Sequence, residues 1–307
     1  MATPAGNPTT VTSVSNLVQT AYDQYVRMAL RSIPVMRAIA DVKPVQQAMP
    51  GSSVVFSIYS DLSAATSTLT ETSDVSSIAL GNPSQVTVTL NEYGSAVTTT
   101  KKLSLTSFND VDSALADIIA YNAADSIDSI VASVLTGGSN VIYAGTATQR
   151  TGITSTMTIS VADIREAVTQ LRSNKALPRI GELYAAYLHP RQSADLRAES
   201  GTGGFQELTK YVERTPFVAG AVGVIEGAFV VETPRVPSVA STTTVYQGVV
   251  AGREALAEAM AQDISTVIGP EIDALRRFRT IGWYYMGGFA RLREAALYRI
   301  ESATSIN

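Results

Sequence analysis

The chain contains no cysteine and one histidine, and only 16% of its 307 residues are charged. Without cysteine there are no disulfides, no thiolate metal sites and no cysteine nucleophile, so stability must come from packing. A lone histidine, His189, cannot build a His-rich metal centre, and no positioned nucleophile or acid is identified to make it catalytic. A structural role is expected for it. The phosphate loop ending in Gly-Lys-Ser/Thr and the Gly-x-Ser-x-Gly elbow are also missing. No catalytic, cofactor-binding or metal-ligating residue is therefore singled out, no cofactor is implied, and the chain reads as a non-enzyme.

Long apolar runs are scarce. The most apolar window, Val218 to Val231, is broken by Glu226 and by glycines, and it is too short to cross a bilayer. The first residues, Met1 to Thr12, lack the basic start and apolar stretch of a secretory signal. A soluble protein made in the cytoplasm, with no membrane partner, is expected. The formal net charge of −4 argues against a dedicated nucleic-acid binder. Loose contact with nucleic acid remains compatible with it.

Hydrophobic residues are present at an ordinary 45%, whereas the charged fraction falls well short of the roughly 25% usual for globular chains. Charged residues are depleted at the buried centres of protein interfaces. Low charge with normal hydrophobicity thus fits a subunit whose surface is covered by partners.

Along the chain, Leu17, Val18, Ala21, Tyr25, Met28, Ala29 and Ile33 recur at helical spacing until Pro34. Val35 to Ile39 makes a second short piece, and Lys43-Pro44 and Met49-Pro50-Gly51 break the chain, leaving an N-terminal arm. Ser53 to Tyr59 has strand composition, and a Ser/Thr-dominated run from Ser60 to Gln85 lacks material for a core of its own. Val86, Val88 and Leu90 alternate with threonines before a turn-like Asn91-Glu92-Tyr93-Gly94, and Val97 to Leu103 reads as a further strand. An isolated ribbon of this kind is marginal in water and needs a neighbour to lie on.

The clearest element is a helix from about Ser107 to Leu135. Phe108, Val111, Leu115, Ile118, Ile119, Ile127, Ile130, Val131, Val134 and Leu135 form its stripe, and Gly137-Gly138 ends it. At 1.5 Å per residue it would be roughly 40 Å long, a spine rather than a bundle member. Asp110, Asp112, Asp117, Asp125 and Asp128 crowd this helix; they read as a solvated or Arg-paired face, with Asp128 outward, since one helix supplies too few oxygen ligands for a metal. Ser160 to Asp163 caps a helix running through Ile164, Val168 and Leu171, which Pro178 closes. Leu183 to Leu188 is a buried strand, and His189-Pro190 opens a short helix. Gly201 to Gly204 reads as a mobile loop, Val222 to Val236 and Thr242 to Val250 as strands, and Arg253 to Ala261 as helix. Phe278 to Glu301 mixes helix-like and strand-like patterns. The basic C-terminal group of Arg276, Arg277, Arg279, Arg291, Arg293 and Arg299 is interleaved with Glu271, Asp273, Glu294 and Glu301, which predicts ion pairing across subunits.

This order resembles tailed-phage major capsid proteins of the Hong Kong 97 type. The likeness rests on Thr87 to Tyr93 with Gly94, Val97 and Lys101-Lys102-Leu103, then Asn122 to Asp128 in the long helix. Leu188-His189-Pro190 before a short helix and the ending from Gly282-Trp283-Tyr284 through Ala295 to Glu301 add to it. The resemblance implies an α+β fold with an N-terminal arm (1–45), an extended β loop (46–106), a peripheral domain holding the spine helix (107–182), an axial domain (183–275) and a return to the peripheral domain (276–307). It implies a major capsid protein that self-assembles, as pentamers and hexamers, into an icosahedral shell around phage double-stranded DNA. The partners it implies are further copies, a separate scaffolding protein because the arm starts almost at Met1, a portal, a decoration protein and non-specific contact with DNA. The location implied is the virion capsid, assembled in the host cytoplasm.

Rival readings are an encapsulin-type nanocompartment, which shares the fold but encloses protein cargo, a tail or adhesion protein forming trimers or tubes, and an α/β enzyme using Asp and Arg alone.

Overall fold

The computed structural model describes residues 34–44, 52–69, 71–72, 74–75, 77–106, 111–200, 221–271 and 273–306. The helical reading of Leu17 to Ile33, Phe108 at the foot of the spine, and Gly201 to Gly204 lie outside the described residues. In chain order the strands and helices are β1 (Asp41–Pro44), β2 (Ser53–Ile58), β3 (Ser84–Thr89), β4 (Asn91–Thr100), α1 (Lys101–Thr106), α2 (Val111–Thr136), β5 (Val141–Tyr143), α3 (Val161–Ser173), β6 (Tyr184–Leu188), α4 (Pro190–Ala198), β7 (Ala221–Ile225), β8 (Ala228–Glu232), β9 (Ser238–Ala240), β10 (Thr244–Ala251), β11 (Leu256–Ile268), β12 (Phe278–Arg291) and β13 (Leu297–Ser302).

The strands form a four-stranded sheet in the order β1-β11-β12-β4, a seven-stranded sheet running β5-β13-β10-β6-β8-β7 with β9 on β10, and the hairpin β2-β3. In the larger sheet, β6 is buried along its whole length because both faces are covered. Tyr184, Ala186 and Leu188 pack with Ile164, Val168 and Leu171 of α3, while Ala185 and Tyr187 pack with Val131 and Leu135 of α2. Alternation of side chains along a strand sends each set to its own helix.

Helix α2 connects the two sheets. Its first half lays Ile119, Ala123 and Ile127 on Ile281, Trp283 and Tyr285 of β12, and its second half lays Val131, Ala132 and Leu135 on the seven-stranded sheet. The Trp283 indole N–H donates to Asn122 Oδ1 at 2.9 Å. With 26 residues α2 is about 39 Å long, as a spine should be. The stretch Leu115–Thr136 is long and apolar enough to span a membrane, yet here it is the core helix between the two sheets.

The expected apolar stripe holds at Ile119, Ile127, Val131 and Leu135 and fails at Ile118. Fully buried residues fall at 119, 123, 127, 131 and 135, a spacing of four, whereas Ile118 is 45% exposed. A single step rotates a side chain by about 100° around the axis, which turns Ile118 off the buried face.

Three further expectations change in the fold. Asn91 to Gly94 is not a turn: β4 runs through it in register with β12, and Gly94 is glycine because a Cβ there would sit 2.7 Å from the Trp283 carbonyl oxygen. Lys101 to Leu103 is helix rather than strand, because the Thr100 hydroxyl accepts the Leu103 N–H at 3.2 Å and starts a new turn. Residues 256–261 belong to β11, not to a helix. Their Ala, Leu, Glu and Met favour helix locally, but β1 pairs on one edge, β12 on the other, and both faces are buried.

Other elements agree with the sequence reading. Ser160 and Asp163 form a reciprocal capping box on α3, although that helix ends at Ser173, ahead of Pro178. The His189 ring nitrogen Nδ1 accepts the Arg191 N–H at 3.2 Å and caps α4. Strands β7 and β8 join through Glu226 and Gly227, both at positive φ, the backbone of a two-residue hairpin.

Candidate assembly surfaces

The first surface is where the N-terminal arm meets the body. A short 3-10 turn, Met36–Ile39, starts just after Pro34 and leaves its first N–H groups without partners inside the turn. Asp128 supplies the acceptor. Its carboxylate takes the N–H of Met36 at 2.6 Å, of Arg37 at 3.1 Å and of Val35 at 3.3 Å. The side chain is 1% exposed, so the outward placement expected for Asp128 is overturned. Burial raises the Asp128 carboxyl above its ordinary value against the pull of these N–H donors, and burial together with the Asp128 charge pushes the Tyr187 phenol up to about 12.

Arg37 makes the second anchor. Its guanidinium straddles Glu258, with Nε at 3.1 Å from both carboxylate oxygens and Nη2 at 2.6 Å from Oε1, and also reaches Asp263 at 3.1 Å. Glu258 is fully buried on β11 and accepts the Tyr285 hydroxyl at 2.9 Å. Burial disfavours the Arg37 charge, but Glu258 and then Asp263 outweigh it and hold the guanidinium above its ordinary value. Tyr285 is pushed up, first by burial and then by the Glu258 charge. Arg179 pairs with Asp41 and also donates to the Ala38 and Ala40 carbonyls, so residues 35–41 are held at three points.

The expected Arg-paired face of α2 exists: the buried Arg235 bonds the partly exposed Asp125 and lies 3.8 Å from the buried Asp128. Of the six C-terminal arginines expected to pair across subunits, four have acidic partners inside the subunit. Arg277 binds Asp273 at 2.6 Å, Arg291 binds Glu294 at 3.0 Å, Arg293 binds Glu254 at 2.6 Å and Arg299 binds Glu301 at 2.7 Å. Three of these pairs join residues no more than four positions apart, and only the Arg293–Glu254 pair depends on the fold bringing distant chain together. Burial alone would raise Glu301, but Arg150, Gln247 and Arg299 outweigh it and hold it below the usual carboxylate value. Among the described residues, no group of three His, Asp or Glu is placed to hold a metal.

The second surface is the loop between β2 and β3. Residues 59–83 contain no regular strand or helix among those described, and Tyr59, Leu62, Leu69, Val75, Ile78 and Leu80 are exposed, Leu69 by 75%. The base of the hairpin is anchored, where Val88, with Val54 and Phe56, packs on Ala257 and Ala259. A third uncovered region is the end of the four-stranded sheet where β4 passes into α1 and β11 turns into β12, with Leu105 77% and Leu275 72% exposed.

A subunit with its buried carboxylates engaged inside the fold and apolar side chains left uncovered on a loop and a sheet end is built to be covered by other subunits. The fold is that of Hong Kong 97-type capsid subunits. It matches the capsid of Ralstonia phage GP4 at 14% identity and a TM-score of 0.73, over 94% of this chain and 96% of that one. It matches the capsid of the native GTA particle at 17% identity and 0.70, over 98% and 100%. It matches the capsid of Helicobacter pylori bacteriophage KHP30 at 16% identity and 0.71, over 98% and 99%. No curated protein sequence matches. The sequence model of the phage capsid protein family matches residues 9–306, and the chain belongs to that family. It is a major capsid protein, a structural and non-enzymatic component of the virion shell.

Proposed function

We propose that this subunit forms pentamers and hexamers that close into an icosahedral shell around double-stranded phage DNA. The observation that carries the reading is the loop 59–83, whose apolar side chains have no cover among the described residues. Exposed apolar area on this scale marks an interaction surface. The proposed division takes residues 1–45 as arm, 46–106 as extended loop, 107–182 with 276–307 as peripheral domain and 183–275 as axial domain. Assembly in the host cytoplasm with a separate scaffolding protein and a portal, an added decoration protein, and non-specific contact with DNA complete the proposal.

Negative-stain microscopy and light scattering of the expressed chain, alone and with a co-expressed scaffold, test it. Closed shells or capsomer-sized rings are expected, and a protein that stays monomeric under every condition overturns the reading. Shells purified with protein cargo and no nucleic acid would point to a nanocompartment instead.

A further inference from the structure

Near its end the chain crosses between the two sheets twice, from β10 to β11 through residues 252–255 and from β12 to β13 through residues 292–296, and both crossings open on one recess. The turn after α3 closes its third side. The recess holds about 170 Å³, with Lys175, Leu177, Arg253, Glu254, Arg293 and Ala296 among its walls. Lys175 and Glu254 both stand at positive φ, 55° and 60°, although neither is glycine. Strained backbone of this kind persists only where the surroundings fix it, and it gathers at ligand sites. Here the Arg253 N–H donates to the Leu177 carbonyl at 2.7 Å, the Gly252 N–H to the Ala296 carbonyl at 2.8 Å and the Glu254 N–H to Asp41 Oδ2 at 2.9 Å. A Cβ on residue 252 would lie 2.8 Å from the Leu177 carbonyl oxygen, so glycine lets the crossing come this close.

The free charged groups of the recess are donors. The carbonyls of Leu177 and Ala296 are taken by these bonds, the Glu254 carbonyl accepts the Arg293 N–H at 3.0 Å, and the Ala176 carbonyl accepts the Tyr184 hydroxyl at 2.8 Å. The carbonyls of Gln170, Leu171 and Arg172 at the end of α3, whose partial negative charge would repel an anion, are closed by the N–H groups of Asn174, Ala176 and Lys175. Glu254 is held by Arg293 at 2.6 Å, and Asp41, behind the wall, is held by Arg179. The Lys175 ammonium and the Arg253 guanidinium remain, both exposed and neither with a side-chain partner among the described residues.

We infer that this recess binds a doubly charged phosphate group, seated between Lys175, Arg253 and Arg293. Three cations less one carboxylate leave an excess of two positive charges on its walls, which matches a phosphate near its full charge better than a singly charged carboxylate or phosphodiester. At about 30 Å³ for each water, the space equals that of about five waters, and a five-atom tetrahedral oxyanion fits within it. Bonds from guanidinium and ammonium groups to phosphate oxygens are charge-assisted and strong. A group bound there touches both crossings and the end of α3 together, so it ties the two sheets at their joint. The site belongs to the single subunit and does not depend on the proposed shell function.

The test uses the full-length protein in the state in which it is purified, with inorganic phosphate as the probe at constant ionic strength. Phosphate stabilises folded proteins in general by exclusion from their surface, so the reading is the difference between the parent and a variant carrying Lys175→Gln and Arg253→Gln. In chloride the two should melt alike, because neither side chain has a partner to lose. When phosphate reaches about ten times its dissociation constant, the melting temperature of the parent is expected to rise by about 2 to 4 °C more than that of the variant. The parent should also broaden the phosphorus NMR resonance of phosphate saturably, and the variant should bind about tenfold more weakly or worse. Equal melting shifts in parent and variant overturn the inference. If the variant does not fold, the phosphorus signal of the parent decides alone, and broadening that does not saturate overturns it. So does displacement of phosphate by a duplex oligonucleotide without terminal phosphates, which would make the recess a contact for singly charged diesters. Displacement by adenosine monophosphate supports a site open to phosphomonoesters, and its failure supports one confined to the free ion. A parent that forms no particles removes the shell reading and leaves this site standing.

Discussion

The carboxylate of Asp128 accepts the Met36 N–H at 2.6 Å across a sequence separation of 92 residues, and so joins the middle of the spine helix to the root of the N-terminal arm. Removing the acceptor leaves the N–H groups of residues 35–37 unpaired in a buried site, at a cost of about 1 to 3 kcal/mol for each group that water cannot reach. Asp128→Ala is therefore expected to lower the melting temperature clearly. Asp128→Asn, which keeps one carbonyl oxygen for Met36 and Arg37, is expected to lower it less. Equal melting of both variants and the parent would show that the arm root is not held by this group.

The same residue gives a pH signature. Burial raises the folded-state value of Asp128 above the ordinary 3.8. A raised value means that the folded state binds the proton more tightly than the unfolded chain, so this group's contribution is fully present below 3.8 and is lost as pH rises through the folded value. Glu294 and Glu301 are shifted downward and act in the opposite direction. Comparison with Asp128→Asn cancels that background. The parent should gain stability relative to Asp128→Asn as pH is lowered toward 4 (about the ordinary carboxylate value), measured as the difference in melting temperature across a pH series.

Glu258 and Arg37 form a buried pair with one partner fully enclosed. Taking away one member of such a pair typically costs about 3 to 5 kcal/mol, because the other charge stays desolvated. Glu258→Gln should therefore consume a large part of the roughly 5 to 15 kcal/mol that holds a domain together. Denaturant unfolding gives the measurement, and a midpoint unchanged from the parent would mean that water reaches Arg37 and replaces the carboxylate.

Local chemistry made much of this legible from sequence. Ser160 with Asp163, and His189 before Pro190, are caps whose partners lie within three residues, so their structure follows from spacing alone. The extended loop was legible as a stretch with too little apolar material to fold on itself. Residues whose role depends on distant chain were not. Asp128 looks like any polar residue on a helix until the arm supplies three N–H donors, and the Leu256 to Ala261 stretch looks helical until β1 and β12 take its edges. The uncovered sheet end was missed for the same reason: Lys101 and Arg277 are distant in sequence and meet only through β4 and β12.

The buried face of α2 separates folding from assembly at two isoleucines about two and a half turns apart. Ile127 is buried against β12, and Ile127→Ala should cost about 2 to 5 kcal/mol through lost transfer energy and the cavity left behind. Ile118 is exposed, and Ile118→Ala should stay within about 0.5 kcal/mol of the parent in subunit stability. If Ile118 is covered by a neighbour in the shell, its variant should still show a reduced yield of particles. A melt in which Ile118→Ala falls as far as Ile127→Ala would put both residues in one core and refute the assigned face.

The loop itself gives the sharpest division between the subunit and the shell. Ile58 and Ser84 are paired across the hairpin, so residues 59–83 can be replaced by Asn-Gly, a two-residue link that suits antiparallel strands. None of the described residues removed by this change contributes to the packed clusters of the body, whose hairpin members are Val54, Phe56, Val88 and Leu90. Closing a long flexible loop costs entropy, and each halving of its length returns about 0.6 kcal/mol, so the shortened subunit should be as stable as the parent or more stable by up to about 2 kcal/mol. Shell formation should nevertheless be lost, because the apolar side chains offered to a neighbour are gone. Circular dichroism and thermal melting read the first half of this expectation, and sedimentation with negative-stain microscopy reads the second. Loss of the helical signal would place the loop in the subunit's own core, and shells of normal size from the shortened chain would show that the loop joins no neighbours at all.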